Sequence, residues 1–484
     1  MTETRAPIPS DSPPTLLWLR RDLRLDDNPA LHAALSSGGP VIPVYVLDEV
    51  VEAQYGAAPK WRLSKSLADL ANGLKASGSR LILRRGPAEA TLLTLAEETG
   101  ARGIVWARQY DGDAIARDTA VKKAFKERGL DAQSVNGSLL FEPWTVETGQ
   151  GGFYKVYTPF WKAVRGRDPG EPLDAPRDLA APDTWPRSDD LADWGLERAM
   201  RRGAAIVEAH ANVGEANARA RLDRFVAGTI ETYAAGRDRP AIAGTSNLSE
   251  NFATGELSPR RAWAEARARF DTLSGKPAES AEVFLQEIAW REFSYHLLYH
   301  TPRIATGNWR EEWDSFPWRE DNEDAEAWRR GMTGYEMVDA GMREMYVTGR
   351  MHNRMRMLTA SLLTKHLMTH WKIGEAWFRD CLIDWDIAAN SMGWQWAAGS
   401  GPDAAPYFRV FNPITQADKF DKNADYRNRF LAEGRSNPHQ DALAFFEAVP
   451  RAWDLDPAAA YPAPVIGHKE GRERALAAYA ERRR

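Results

Sequence analysis

The stretch DWDIAANSMGWQW, residues 384 to 396, holds two aspartates, an asparagine and three tryptophans. Asp384 and Asp386 are carboxylates in an apolar, aromatic neighbourhood. If buried, they need cations or hydrogen-bond donors beside them. Arg356 is an available cation. A heteroaromatic ring bearing N–H groups, such as an isoalloxazine, is another fitting partner. Trp394 and Trp396 stand two apart, so they face opposite sides of a strand or diverge by roughly 200° around a helix. They serve two different neighbours, one inward and one toward a cavity, or both pack in a core.

Three other stretches could join such a site. In GRMHNRMRMLTASLL, residues 349 to 363, Met351, Met355 and Met357 interleave with Arg350, Arg354 and Arg356. Apolar side chains between guanidiniums suit a flat, anionic, aromatic ligand such as a nucleotide; a solvated helix face is the plainer reading. In FLQEIAWREFSYHL, residues 284 to 297, Glu287, Trp290 and Arg291 share one face of a helix, either at a site or as a surface ion pair beside a core indole. In GTSNLSENFATGELSPRRAW, residues 244 to 263, Thr245, Ser246, Ser249, Thr254 and Ser258 form a dense hydroxyl cluster. Hydroxyls and free N–H groups at helix starts suit a diphosphate, whereas helix capping, with Ser258-Pro259 as cap and first turn, is the competing reading. His366 and His370 have i, i+4 metal spacing, but the glutamate of HExxH and a third ligand are missing, so no metal is expected.

The elements that must hold these residues follow from pattern. Residues 15 to 138 alternate β-rich runs (TLLWL, VIPVYVLD, RLILRR, GIVWAR, DAQSV) with helical ones. Leu63, Leu67, Leu70 and Leu74 share a helix face, and Asp27-Asn28-Pro29 is a helix start. Gly38, Gly78, Gly100 and Gly129 close helices. The expectation is an α/β domain, a doubly wound, parallel, five-stranded Rossmann-like sheet. The first strand nevertheless runs into RRDLRLDDNP with no GxGxxG, so the ordinary dinucleotide fingerprint is absent. Residues 139 to 212, rich in Pro, Gly and Asp, read as an irregular linker. Residues 213 to 484 read as all-α, and residues 1 to 14 as a loose, disordered tail without the apolar core of a signal peptide.

Composition narrows the function. The net charge of −5 excludes a basic nucleic-acid coat, so any nucleic-acid surface is a local patch. The single cysteine, Cys381, excludes an internal disulfide and a four-cysteine metal or iron–sulfur site. No apolar run reaches membrane-spanning length. Most of the nineteen tryptophans lie from Trp263 onward.

Together these stretches resemble the photolyase/cryptochrome family, from LLWLRRDLRLDDNPAL to HKEGRERALAAYAERR. TGRMHNRMRMLTASLL and DIAANSMGWQWAAGSGPDAAPYFRVFNP are the most specific pieces. The resemblance implies an antenna-binding α/β domain, a long linker and a helical domain holding FAD in a folded conformation. Tyr233, Thr245, Ser246, Leu248 and Ser249 resemble residues around its phosphates and adenosine. Arg291, Asn353, Arg356, Asp384, Asp386 and Asn390 resemble those around the rest, with Asn390 beside flavin N5. A neutral amide there can hydrogen-bond a reduced N5–H without supplying a proton, which suits a lasting FADH⁻. Trp394, Trp371 and Trp318 match an electron chain from flavin to surface. Trp290 and Trp396 match the walls of a lesion pocket in which Glu287 and Met357 contact the bases. Arg237, Arg354 and Arg409 match phosphate-contacting positions. Arg350, where many relatives have tryptophan, and the turn NSMG, more glycine-rich in close relatives, depart from the pattern.

Within that family, His352-Asn353 replaces the histidine pair of enzymes for the (6-4) lesion, which favours the cyclobutane pyrimidine dimer. The implied activity is light-driven dimer repair by electron transfer from excited FADH⁻ to a flipped-out dimer. The alternative is a cryptochrome-type photoreceptor without repair activity. A second chromophore, methenyltetrahydrofolate or 8-hydroxy-5-deazaflavin, is expected near Arg108 to Asp118. The expected setting is a monomer in a bacterial cytoplasm, associated with the nucleoid through ultraviolet-damaged DNA, with no membrane and no obligate protein partner.

Overall fold

The structure, a computed structural model, describes residues 12–404, 406–407 and 409–482. Residues 1–11 of the expected tail lie outside the described residues. Each of the five β-rich runs forms a strand: β1 (Thr15–Leu19), β2 (Val41–Leu47), β3 (Ile82–Arg85), β4 (Gly103–Ala107) and β5 (Asp131–Val135). They make one all-parallel sheet in the order β3-β2-β1-β4-β5. Trp18 of β1 lies opposite Val44 of β2 and Trp106 of β4. Helices α1 (Pro29–Ser36), α2 (Ala57–Ala76), α3 (Ala88–Thr99) and α4 (Gly112–Glu127) supply the crossovers. Successive strand side chains point to opposite faces, so two cores form. Leu17, Leu19, Tyr45 and Leu47 meet the Leu63, Leu67, Leu70 and Leu74 stripe of α2. Leu16, Trp18, Val44 and Val46 meet Leu92 and Leu95 of α3 and Phe125 of α4. Burial on both faces is why β1 and β2 are near-continuously apolar rather than alternating.

The stretch after β1 explains why no glycine fingerprint is present. Its charges join the two halves of the protein. Arg24 is buried and donates to the carbonyls of Asp27, Gly137 and Gly255. Asp26 pairs with Arg261 at 2.7 Å, and Asp27 receives Ser258 and Arg260. Arg21 donates to the Ala253 carbonyl and to Asp386. Gly255, at φ +76°, lies where a Cβ would overlap the Arg21 carbonyl, so the backbones meet without side-chain spacing. Asn28 caps α1 by accepting from Leu31 N–H, with Pro29 in the first turn.

The 139–212 segment is less irregular than its composition suggests. It contains α5 (Tyr157–Val164), a six-residue helix at Gly203–Glu208 and three 3₁₀ turns. Tyr157, Phe160, Trp161 and Val164 bury one face of α5 in the helical core. Eight residues between Pro/Gly-rich flanks are too few for periodicity to declare a helix. Beyond Glu215 the named elements are helical. α6 (Ser249–Thr254) is followed by α7 (Pro259–Thr272), which packs on α8 (Gly275–His300). The site is built on α6, α8, α9 (Asn353–Ser361), α10 (Trp371–Cys381) and α11 (Ile387–Ala398).

Candidate active site

One cavity of about 770 Å³ lies among these helices. One wall is the turn from Thr245 to Ser249 together with Tyr233. The α8 face adds Glu287, Trp290 and Arg291, and α9 adds Asn353, Arg356 and Met357. Asp384, Asp386, Asn390, Trp394 and Trp396 complete it, with Arg237 and Arg350 also lining it. The four sequence stretches, spread over 150 residues and more, therefore meet around one space.

Local structure explains how each side chain reaches the cavity. The two readings of the hydroxyl cluster divide between its members. Ser258 is a cap, accepting from Arg261 N–H at 2.9 Å ahead of Pro259 in α7. Thr245, Ser246 and Ser249 line the cavity, and α6 has no side-chain cap at Leu248. Asp384 is buried and receives the Arg356 guanidinium at 2.7 Å, the pairing its burial demands. Asp386 is the N-cap of α11, accepting from Ala389 N–H. Its other oxygen receives Arg21 and the Tyr295 hydroxyl. Burial opposes the Asp386 charge, but Arg21, then Arg291, Tyr295 and the Ala389 N–H together hold the carboxyl below its ordinary range. Asn390 spends its amide N–H₂ on the Asp386 carbonyl at 2.9 Å, which fixes its orientation at the cavity wall.

Glu287 and Arg291 do not form the i, i+4 pair that their spacing allows. Glu287 pairs instead with Arg237, across from α8. Burial raises the Glu287 carboxyl while Arg237 pulls it back. Arg291 donates to the Ser138 carbonyl at 2.8 Å and lies over the Tyr295 ring. Asp384 Oδ1, His352 Nε2 and Trp394 Nε1, all on cavity-lining residues, are buried without a protein partner among the described residues. Hydroxyls on one side, with a carboxylate–arginine pair and indoles on another, fit a nucleotide carrying a fused heteroaromatic ring.

The tryptophans separate as their spacing foretold. Trp394 is buried against Phe378 (ring centroids 4.9 Å) and Trp328 (6.0 Å), whereas Trp396 is half-buried. Trp394 crosses α10 at Gly374, where a Cβ would overlap its ring. Trp371, the first residue of α10, is fully buried and donates to Asn308 at 2.9 Å. Trp318 is half-buried. His370 stands between them, 5.7 Å from Trp371 and 4.9 Å from Trp318 between ring centroids. His370 thus packs between two indoles, and it also caps α10 by accepting from Lys372 N–H.

Of the three candidate phosphate-binding arginines, only Arg237 lines the cavity. Arg354 pairs with Asp238, the neighbour of Arg237, at 2.7 Å. Arg409 is exposed, and its carbonyl accepts the buried Lys365 Nζ at 2.9 Å. Burial, then Arg409, lowers Lys365 to about 7. Between that value and the ordinary lysine value, the unfolded chain holds a proton that the folded chain has lost. Stability should therefore rise with pH across this window. Lys365→Met should reduce the rise between pH 7 and 9 by ~2 kcal/mol, read from denaturant midpoints. A parallel rise in both proteins would show that Lys365 stays protonated.

Known proteins resemble this chain along its length. The family described as DNA photolyase matches residues 15–177, and that described as FAD binding domain of DNA photolyase matches residues 284–481. A deoxyribodipyrimidine photo-lyase of Agrobacterium fabrum is 45% identical over 96% of this chain and 98% of its own. The chain belongs to the photolyase/cryptochrome family. Among solved structures of this family, a bacterial class III photolyase from Agrobacterium tumefaciens superposes with a TM-score of 0.89, at 42% identity and over all of both chains. An archaeal photolyase from Sulfolobus tokodaii, described with two FAD molecules and a novel light-harvesting cofactor, superposes with a TM-score of 0.76 at 27% identity over 96% and 99%.

Several residues with clear jobs at this photolyase-family site were not singled out from sequence. Arg21 and Tyr295 hold Asp386. Glu250, buried at 0% exposure, gathers Arg62, Arg221 and Arg350 behind the hydroxyl turn. Only the charge density of RRDLRLDDNP signalled Arg21, and nothing local signalled its partner.

Proposed function

We propose that the protein uses blue light to split cyclobutane pyrimidine dimers in DNA, with FAD as its catalytic cofactor. The observation that carries this reading is the single cavity. It presents Asn390, Asp384 and Arg356 to a flavin and Glu287, Trp290, Met357 and Trp396 to a lesion, with no wall between the two sets. When bound in reduced form, the flavin supplies the light-driven electron that opens the dimer.

In this reading each residue has a physical task. Tyr233, Thr245, Ser246, Leu248 and Ser249 cradle the phosphate and adenosine end. Arg291, Asn353, Arg356, Asp384 and Asp386 hold the rest. Asn390 offers its amide oxygen to a reduced ring N–H and has no proton to give. Trp290 and Trp396 exclude water and stack the extruded bases. Glu287 and Met357 meet the pyrimidine edges. Trp394, Trp371 and Trp318 conduct electrons inward from the surface when the cofactor is oxidised. The 15–138 unit carries a second chromophore, a reading supported by the light-harvesting cofactor of the archaeal relative. Extraction followed by absorption spectroscopy decides between methenyltetrahydrofolate and 8-hydroxy-5-deazaflavin. No described helix is long and apolar enough to cross a membrane, and the protein works as a monomer on cytoplasmic DNA in this reading.

The test is light-dependent loss of thymine dimers from a defined duplex by the purified, reduced protein. Flavin photoreduction without dimer loss would make it a photoreceptor instead. DNA binding gives a second expectation. An acidic protein must grip DNA through a local rim, here Arg237, Arg354 and Arg409. Three neutralised phosphates give a log–log salt slope of roughly −3. Arg354→Ala should flatten it by about one, as phosphate no longer replaces Asp238 on that guanidinium. An unchanged slope would remove Arg354 from the DNA backbone contact.

A further inference from the structure

Trp290 has a partner on one face already. Tyr157, the first residue of α5, stacks on it with ring centroids 3.6 Å apart and planes within 8°. Isolated aromatic pairs prefer an offset or edge-on arrangement to such full overlap. Here the overlap is fixed from three sides. The Tyr157 hydroxyl donates to the Gln286 carbonyl at 2.7 Å, one turn ahead of Trp290 on α8. Phe293 abuts both rings edge-on. The Tyr157 backbone N–H donates to Asp403 at 3.1 Å, six residues before Arg409. Tyr157 is buried and comes from the segment whose composition read as a linker.

We propose that Tyr157 is a positioning residue for lesion recognition. It covers one face of the Trp290 indole and holds its plane, so an extruded pyrimidine pair meets a single, preset stacking face. This inference rests on the reading of Trp290 as a lesion wall. Pre-ordering one rotamer-rich side chain is worth about three- to tenfold in affinity.

The experiment measures the affinity of full-length, FAD-loaded protein for dimer-containing and undamaged duplexes, and the repair yield per absorbed photon at saturating lesion. Tyr157→Leu should weaken dimer binding about three- to tenfold. Its loss should fall on affinity and not on yield, and Tyr157→Phe, which keeps the ring, should restore discrimination. The double variant with Trp290→Ala should bind dimers no more weakly than Trp290→Ala alone. Full discrimination in Tyr157→Leu, or additive losses in the double variant, would overturn the proposal while leaving Trp290 in place. Wild-type dimer affinity in Trp290→Ala would overturn the lesion-wall reading and this inference with it. If Tyr157→Leu does not fold, Tyr157→Met replaces it with the same expectations.

Discussion

Trp394→Phe leaves the flavin oxidised under blue light, while repair by chemically reduced protein continues largely as before. This expectation follows from where Trp394 sits. It lines the cavity, its N–H is buried without a partner among the described residues, and its ring crosses α10 at Gly374. Trp371 begins the helix it packs on, His370 bridges to half-buried Trp318, and Phe378 and Trp328 flank it directly. Phenylalanine preserves the packing but is far harder to oxidise than indole. Photoreduction is read as loss of the oxidised-flavin absorption band with an external reductant present, and repair is read on protein reduced with dithionite. Normal photoreduction in Trp394→Phe would remove this chain from the mechanism. Gly374→Ala offers a second check, because a methyl group there must displace the Trp394 ring while leaving every tryptophan in place.

Such a path could be read only partly from sequence, and the reason is distance along the chain. The α/β half was legible because its signals are local: five short β-rich runs, a leucine stripe at helical spacing, and an Asn-Pro start all refer to neighbouring residues. The Asp384–Arg356 pair was legible too, since a buried carboxylate demands a cation and a methionine-flanked arginine stood nearby. Asp386 shows the limit. Its partners are Arg21 and Tyr295, on the other half of the molecule and on α8, and no periodicity connects positions so far apart. Tyr157 and His370 were hidden differently. One lay in a segment whose proline and glycine content masked an eight-residue helix, and the other carried a spacing that suggested a metal. Cavity residues such as Tyr233 and Leu248 were suggested by family resemblance alone, because a buried Tyr or Leu has no chemical signature of its own.

The Arg237–Glu287 pair carries the argument into the repair step, because DNA should separate it. A dimer stacked within a duplex cannot reach a recessed cavity, and photolyases are among the enzymes that extrude their target nucleotides. Extrusion costs a few kcal/mol, less at a damaged and poorly stacked site. Trp290 and Trp396 offset this at about 1–3 kcal/mol per stacked base, so Trp290→Ala should weaken dimer binding by roughly tenfold or more. Once a phosphate draws Arg237 away, Glu287 loses the cation that opposes its desolvation. Burial already raises its carboxyl, and loss of Arg237 raises it further. In its protonated form this carboxyl can donate to the pyrimidine edge and stabilise the negative charge that arrives with the electron. Glu287→Ala should therefore bind dimers almost normally yet show a sharply lower repair yield per absorbed photon. Glu287→Gln, which donates from an amide at any pH, should recover much of that yield. The measurement requires saturating lesion and fully reduced flavin, so that neither binding nor photoreduction limits it. A wild-type yield in Glu287→Ala under those conditions would exclude the carboxyl from the electron-transfer step and leave it only the ion pair with Arg237.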